Sequence, residues 1–326
     1  MAPQLDYLIV GAGLYGATFA RLAADHGKSC LVVDRRKHIA GNCYTKKQYG
    51  IDVHKYGAHL FHTNNENVWR FVNRFGEFNR YCHQVIVKSG EMFYSFPPNK
   101  MTYQQLGTED KQVVYDKLFK GYTKKMWGKE QSDAVKRIPI RNDWDNRYFS
   151  DKYQGVPING YTRLVEQMLS GIEVRLNCPY CYYQPAKILA KRTIYTGSID
   201  DLFDYKYGQL LYRSIRFKSR VYNKEQQQGT SVINYADEGV SCIRTVEHKY
   251  FNWTESKKTI VTTEYPTSQG EGMYPVLDLE NIRLYNRYKK LLPKSFVLGG
   301  RLGSYKYMDM DDVIEQAMDH FKEESL

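Results

Sequence analysis

Residues 6–36, DYLIVGAGLYGATFARLAADHGKSCLVVDRR, decide the fold. Tyr7–Val10 is an apolar run of strand type. Gly11, Gly13 and Gly16 then make GxGxxG at a turn, and Ala17–Ala24 continues as a small-residue helix that Gly27 stops. A second apolar run, Cys30–Val33, ends in Asp34. Each glycine has a physical job. Gly11 allows the tight turn, Gly13 lets a pyrophosphate approach the backbone, and Gly16 lets helix and strand pack closely. The helix N-terminus offers free N–H groups and a partial positive charge to phosphates. Asp34 can accept hydrogen bonds from a ribose diol. Strand, glycines, helix, strand and acid in this order predict a dinucleotide-binding unit. They leave open which dinucleotide it takes.

The rest of the chain bounds the answer. At 326 residues it exceeds a typical single domain, so two or three are expected. With 42% hydrophobic residues it suits a globular protein, and no apolar run approaches the ~18 residues of a membrane span. No membrane insertion is expected. The first strand follows Met1 so closely that no leader fits, which points to the cytoplasm. The net charge of +11 suits anionic partners. Lys and Arg are spread without a polybasic block, which favours phosphorylated small molecules, with no nucleic acid. The 29 tyrosines are numerous, and a phenol ring can stack on a base while its hydroxyl bonds phosphate. Cys178-Pro-Tyr-Cys181 is a lone CxxC without the second pair that zinc wants, and reads as structural. His54, His59 and His62 lie close together but lack a thiolate or carboxylate set, so no metal is expected.

Working outward, residues 39–51 read as an extended Gly-containing loop and 66–75 as a short helix. Residues 83–97 hold strand-like runs. Residues 101–127 read as helical, with Leu106, Val113, Val114, Leu118 and Tyr122 apolar. A helix over 160–170 and strands at IEVRL and RTIYTG follow. From 209 to 265 alternation predicts an antiparallel sheet. Residues 278–292 are helical, Phe296–Leu298 is a strand into Gly299-Gly300, and Met310–Lys322 is a terminal helix. The fold class is α/β, with a Rossmann-type dinucleotide domain, a helical insertion and an antiparallel β-sheet substrate domain. Such a discontinuous layout is typical of two-domain flavoproteins. Expected boundaries are 1–80 with about 155–205 and 290–326 for the dinucleotide domain. A small helical domain takes about 98–135, with a mobile loop to 147, and the sheet domain about 81–97 and 206–289.

Three further segments narrow the function. The first is Ala40-Gly41-Asn42 with YGAHLFHT over 56–63. The second is GYTKKMWG over 121–128, with KRIPIR over 136–141 and DNRYF over 145–149. The third is GGRLGSYKYMDM over 299–310. Together with GAGLYGA they resemble the UDP-galactopyranose mutase family, nearly end to end. The resemblance implies FAD, active when reduced, with NAD(P)H a candidate external reductant. It implies interconversion of UDP-galactopyranose and UDP-galactofuranose. Reduced flavin N5 attacks the anomeric carbon, UDP is lost and returns, and no net redox change results. For the cofactor it implies Gly11, Gly13, Gly16, Asp34, Gly41, Asn42, His59, Gly300, Arg301 and Asp309. Arg137 and Arg244 match diphosphate arginines, and Tyr148, Tyr274 and Tyr307 match phosphate-binding tyrosines. Tyr122 matches the ring that stacks on uracil, Thr123 and Trp127 its neighbours, and His59 and His62 the flavin-proximal histidines. Arg137, Arg244, His59 and His62 form the expected catalytic set. Glu264 and Asp309 match acidic positions, the latter also fit to cap the terminal helix. The chain departs from the family in length. Its helical insert before Gly121 is short, which puts the family's homodimer in doubt, and the loops from Trp127 to Arg137 and from Glu264 to Tyr274 are short too. His83 stands where relatives often have asparagine, and Asp311 where histidine is common. A mutase for a related UDP-sugar and a conventional FAD-dependent oxidoreductase remain as alternatives.

Overall fold

The computed structural model describes residues 4–130, 133–182 and 190–324. In chain order, β1 (Leu5–Val10), α1 (Leu14–Asp25) and β2 (Cys30–Val33) form the βαβ unit expected of the opening stretch. β3 (Thr45–Gln48), β4 (Ile51–His54), β5 (Phe61–Thr63), α2 (Glu66–Asn73) and the hairpin β6 (Val85–Ser89) to β7 (Met92–Phe96) follow. Next come α3 (Lys100–Leu106), α4 (Lys111–Tyr115), α5 (Gly121–Trp127), β8 (Tyr153–Gly155), α6 (Gly160–Met168), β9 (Glu173–Arg175), β10 (Ala190–Tyr195) and α7 (Ile199–Leu202). The chain closes with β11 (Tyr212–Tyr222), β12 (Val232–Tyr235), β13 (Arg244–Glu247), β14 (Thr259–Thr267), β15 (Tyr274–Pro275), α8 (Leu279–Lys289), β16 (Phe296–Leu298), α9 (Gly300–Gly303) and α10 (Met310–Glu324).

Two sheets organise these elements. One is parallel throughout, in the order β16-β10-β1-β2-β9. Its centre is apolar because both faces are covered. Along α1, Ala17, Ala20 and Ala23 are buried, and Phe19 packs between Tyr7 (5.1 Å) and Phe321 of α10 (5.5 Å). Burying a side chain of that size contributes about 2–3 kcal/mol. The glycines of the opening motif are required by space. A Cβ on Gly16 would lie 1.9 Å from the Gly11 carbonyl oxygen. One on Gly11, at φ +114°, would lie 1.9 Å from Thr196 Oγ1.

The second sheet runs β15-β11-β14-β13-β12-β6-β7. The sequence predicts it as antiparallel, but β12 pairs β6 in parallel, Ile233 opposite Ile86 and Asn234 opposite Val87. The sheet is therefore mixed. Alternation fixes which face a strand buries and carries no information on strand direction. Two other expectations are corrected. The loop expected over 39–51 contains a 3-10 turn, Gly41–Cys43, and the strand β3, which pairs with β4. The helix expected over 101–127 is broken. α3 ends at Gly107 in the left-handed region (φ 69°), and α4 restarts from Asp110, whose carboxylate caps Gln112 and Val113. A π-type turn, Asp116–Lys120, then joins α4 to α5. Gln131 and Ser132, in the short loop expected from Trp127 to Arg137, lie outside the described residues. No helix among the described residues is long and apolar enough to cross a membrane.

Candidate active site

Strand register builds the floor of the site. Asn234 on β12 stands opposite Arg244 on β13, which stands opposite Glu264 on β14. Residues directly opposite share a face, so the three polar side chains form a row across the mixed sheet. Above them lies a cavity of about 510 Å³ whose wall includes Ile215, Val232 and Val85 from the same face. α5 supplies Tyr122, Thr123 and Trp127, and the segment before β8 supplies Tyr148 and Phe149. Tyr274, Arg301, Tyr307 and Asp309 come from the chain's return, and His59, His62 and His83 complete the wall.

The charges are arranged before any ligand is considered. Arg244 Nη2 donates to the Tyr122 hydroxyl (2.8 Å), and its Nε lies 3.4 Å from Glu264 Oε2. Burial pushes the Glu264 carboxyl up, while Arg244 pulls it the other way. The geometry is incomplete: Arg244 Nε, Glu264 Oε1 and Asn234 Oδ1 are all buried without a hydrogen-bond partner. Buried polar atoms left this way are costly unless something satisfies them. All three residues line one cavity.

A second cluster closes the cavity's mouth. Tyr274 and Tyr307 stack at 5.7 Å. Arg301 lies over both rings at 4.9 and 5.5 Å, and Arg137 over Tyr307 at 4.5 Å. Arg137 is half-exposed and pairs with Asp309 (3.3 Å). Asp309 thus spends its carboxylate on Arg137, while its backbone N–H is capped by Asp312 (2.8 Å). Burial pushes the Tyr148 hydroxyl up to about 12 and raises Tyr307 as well, so both remain donors at neutral pH.

Two of the cavity histidines, His59 and His83, are held neutral by burial. His59 Nδ1 donates to the Gly57 carbonyl (2.8 Å), which leaves Nε2 as an acceptor, and burial pushes its pKa down to about 4. His83 lies against Tyr81 (3.1 Å), whose single O–H goes to Ser231 (2.6 Å). His83 Nδ1 is therefore the donor, and burial pushes its pKa down to about 3. His62 pairs through Nδ1 with Asp151 (3.1 Å) and stacks on Phe149 (3.7 Å). His54 is turned into the core, where its Nδ1 accepts from the His59 amide (3.1 Å). Among the described residues no group of three or more His, Cys, Asp or Glu could hold a metal ion.

The remaining sequence-predicted residues form a separate cradle. Gly13 has no side chain capping the N-terminus of the twelve-residue α1, so the first-turn N–H groups meet no side-chain acceptor. A Cβ on Gly41 would come within 3.1 Å of the Gly13 Cα, so two bare backbones face each other there. Asp34 is buried at the end of β2, accepting from the amides of Ala12 and Arg36 (both 2.8 Å), with lone pairs to spare for a diol. Asn42 takes Arg36 Nη2 (3.0 Å). These residues fit a dinucleotide pyrophosphate and ribose. Gly300 lies against Tyr15 of α1, and its N–H is already engaged by Gln316 (2.9 Å). Cys178 sits beside Asp34, its amide bonded to the Asp34 carbonyl, and both thiols of the CxxC are free. The sequence reading missed Asn234 and Asp151, and quoted Phe149 without giving it a role. Asp151 lies two residues past a stretch already singled out, but Asn234 shows only in the strand register.

Comparison with known proteins bears on the family and the fold. The profile of the UDP-galactopyranose mutase family matches residues 117–307, and that of the NAD(P)-binding Rossmann-like domain matches residues 9–75. The chain is 32% identical to the dTDP-fucopyranose mutase of Escherichia coli over 369 aligned positions, covering 96% of each chain. That span exceeds the 326 residues present, so the relative carries insertions. It is 33% identical to the UDP-galactopyranose mutase of Mycoplasma pneumoniae, covering 97% of this chain and 95% of that one. The fold matches a crystal structure of reduced UDP-galactopyranose mutase with a TM-score of 0.77 at 11% identity, over 99% of this chain and 94% of the other. By motif, by full-length similarity and by fold, the chain belongs to the UDP-galactopyranose mutase family of isomerases.

Proposed function

We propose that this protein interconverts UDP-galactopyranose and UDP-galactofuranose, with FAD held by Gly11, Gly13, Gly16, Gly41 and Asp34. The observation that supports this best is the fixed Arg244–Tyr122–Glu264 cluster facing the same cavity as Arg137, Tyr148, Tyr274 and Tyr307. Reduced FAD supplies a nucleophilic N5 for the anomeric carbon, so that UDP can leave and return without net redox change. The chain's own work is then electrostatic. A departing diphosphate gains negative charge, and cations and neutral phenol donors fixed beforehand stabilise it most. Arg244 is held by Tyr122 and Glu264 before ligand arrives. Tyr148 and Tyr307 stay protonated and donate. Arg137 sits at the mouth and exchanges Asp309 for phosphate. His59, neutral with a free Nε2, orients a hydroxyl without adding charge.

The test is turnover of UDP-galactofuranose to UDP-galactopyranose by dithionite-reduced protein, with slow turnover when oxidised. No turnover under dithionite overturns the reading, and a conventional oxidoreductase would instead reduce its flavin with substrate alone. The similarity to the Escherichia coli dTDP-fucopyranose mutase favours a second reading, a mutase for a dTDP-linked sugar. Comparing kcat/KM for the two nucleotide sugars decides between them.

A further inference from the structure

α5 meets the β12–β13 hairpin along one helix face. Gly121 and Lys125 are four residues apart and project on the same side. At Gly121 an added Cβ would lie 2.0 Å from the Ala236 carbonyl oxygen, so helix and hairpin backbones touch directly. One turn further on, Lys125 Nζ donates to four backbone carbonyls of that hairpin: Tyr235 (2.8 Å), Asp237 (2.9 Å), Val240 (3.0 Å) and Cys242 (2.9 Å). An ammonium has three N–H bonds, so four oxygens converge on the charge and at least one N–H is shared. A ring of carbonyl dipoles around a desolvated cation is the environment that replaces the hydration shell of a monovalent ion. The same helix lines the cavity with Tyr122, Thr123, Met126 and Trp127. The hairpin inside the cage links Asn234 to Arg244. Arg213 adds a second tie, donating to the α5 carbonyls of Met126 (2.5 Å) and Lys125 (3.1 Å).

We propose that these four carbonyls form a monovalent-cation cage that the chain fills with its own Lys125, and that this plug sets Tyr122 and Trp127 in register with Arg244. Lys125 is then a positioning residue, acting on ligand through the helix it anchors. The ligand part of the proposal rests on the nucleotide-sugar reading above; the cage does not.

Two variants separate the roles. Lys125→Ala opens the cage, and Lys125→Met fills the stem's space without charge. Each is compared with the unsubstituted protein in KCl, NH4Cl and tetramethylammonium chloride at equal ionic strength. Thermal midpoint and the dissociation constant for UDP are measured. In tetramethylammonium both variants should melt lower and bind UDP about tenfold more weakly or worse. K⁺ and NH4⁺ should restore Lys125→Ala in both readouts, leave Lys125→Met unrestored, and not move the unsubstituted protein. The proposal is overturned if Lys125→Ala gains no more from K⁺ or NH4⁺ than from tetramethylammonium, including failure to fold in any of the three salts. If the unsubstituted protein does not bind UDP, the nucleotide-sugar reading fails, and the thermal midpoints still decide the cage.

Discussion

Arg244, partly exposed, holds its charge between the buried Glu264 carboxylate and the Tyr122 phenol. Replacing it with alanine removes the cation and leaves Glu264 buried without a counter-charge. Arg244→Ala is expected to lower kcat/KM by about 10²–10³-fold and stability by about 3–5 kcal/mol. Adding Glu264→Gln should return much of the stability and none of the turnover, as steady-state kinetics and urea titration will show. Arg137 is the opposite case, half-exposed in a surface pair with Asp309. Arg137→Ala should cost no more than ~1 kcal/mol of stability, keep its flavin absorbance, and lose most of its turnover. An unchanged rate would mean that another cation of the shortened loop does the work. Arg137, Arg244 and the tyrosines were legible as residues because their neighbours repeat a family pattern. Asn234 was not. Its place depends on how three strands slide past one another, which no local pattern encodes.

Among the elements, α5 is held at several points along its length. Gly121 lies against the Ala236 carbonyl, Lys125 against four more, and Arg213 caps the last turn. Gly121→Ala cannot be absorbed by a rotamer change, since the obstacle is backbone. A loss of about 1–3 kcal/mol is expected from overpacking, with weaker UDP binding and undiminished flavin content. Gly16→Ala should do the reverse, because its clash is with the Gly11 carbonyl in the phosphate turn. Here flavin content falls, and dialysis against FAD followed by a visible spectrum measures it. The βαβ unit was legible because glycine, apolar run and acid each have one local reason to be where they are. The helical stretch over 101–127 was legible as helix but not as three helices. Its first break comes from Gly107 in a left-handed turn and Asp110 capping a new start, its second from the π-type turn Asp116–Lys120, signals weaker than the apolar periodicity around them.

At the scale of the whole molecule, buried histidines set the acid limit. Burial pushes His59 down to about 4 and His83 and His248 down to about 3, from 6.5 in a free side chain. The unfolded chain takes up these protons as pH falls through 6.5, whereas the folded chain refuses them. Their contribution is therefore intact above pH 6.5 and is lost as pH falls from there toward 4, by up to ~1.4 kcal/mol per pH unit for each group. Urea titrations at pH 7 and pH 5 should show the drop, His83→Asn should make it shallower, and a flat profile would contradict it. The two sheets are also stitched from distant pieces. The parallel sheet opens at Leu5 and its edge strand ends at Leu298, and β6 waits for β12 as its parallel neighbour. On the ribosome, at about 5–20 residues per second, β6 is made roughly seven to thirty seconds before that neighbour. A nascent chain thus carries an apolar strand with one edge bare, which invites chaperones or aggregation. It cannot finish the sheet beneath its phosphate cradle until β16 has been made, so cofactor loading belongs after that strand emerges, and slower growth should favour soluble protein over inclusion bodies.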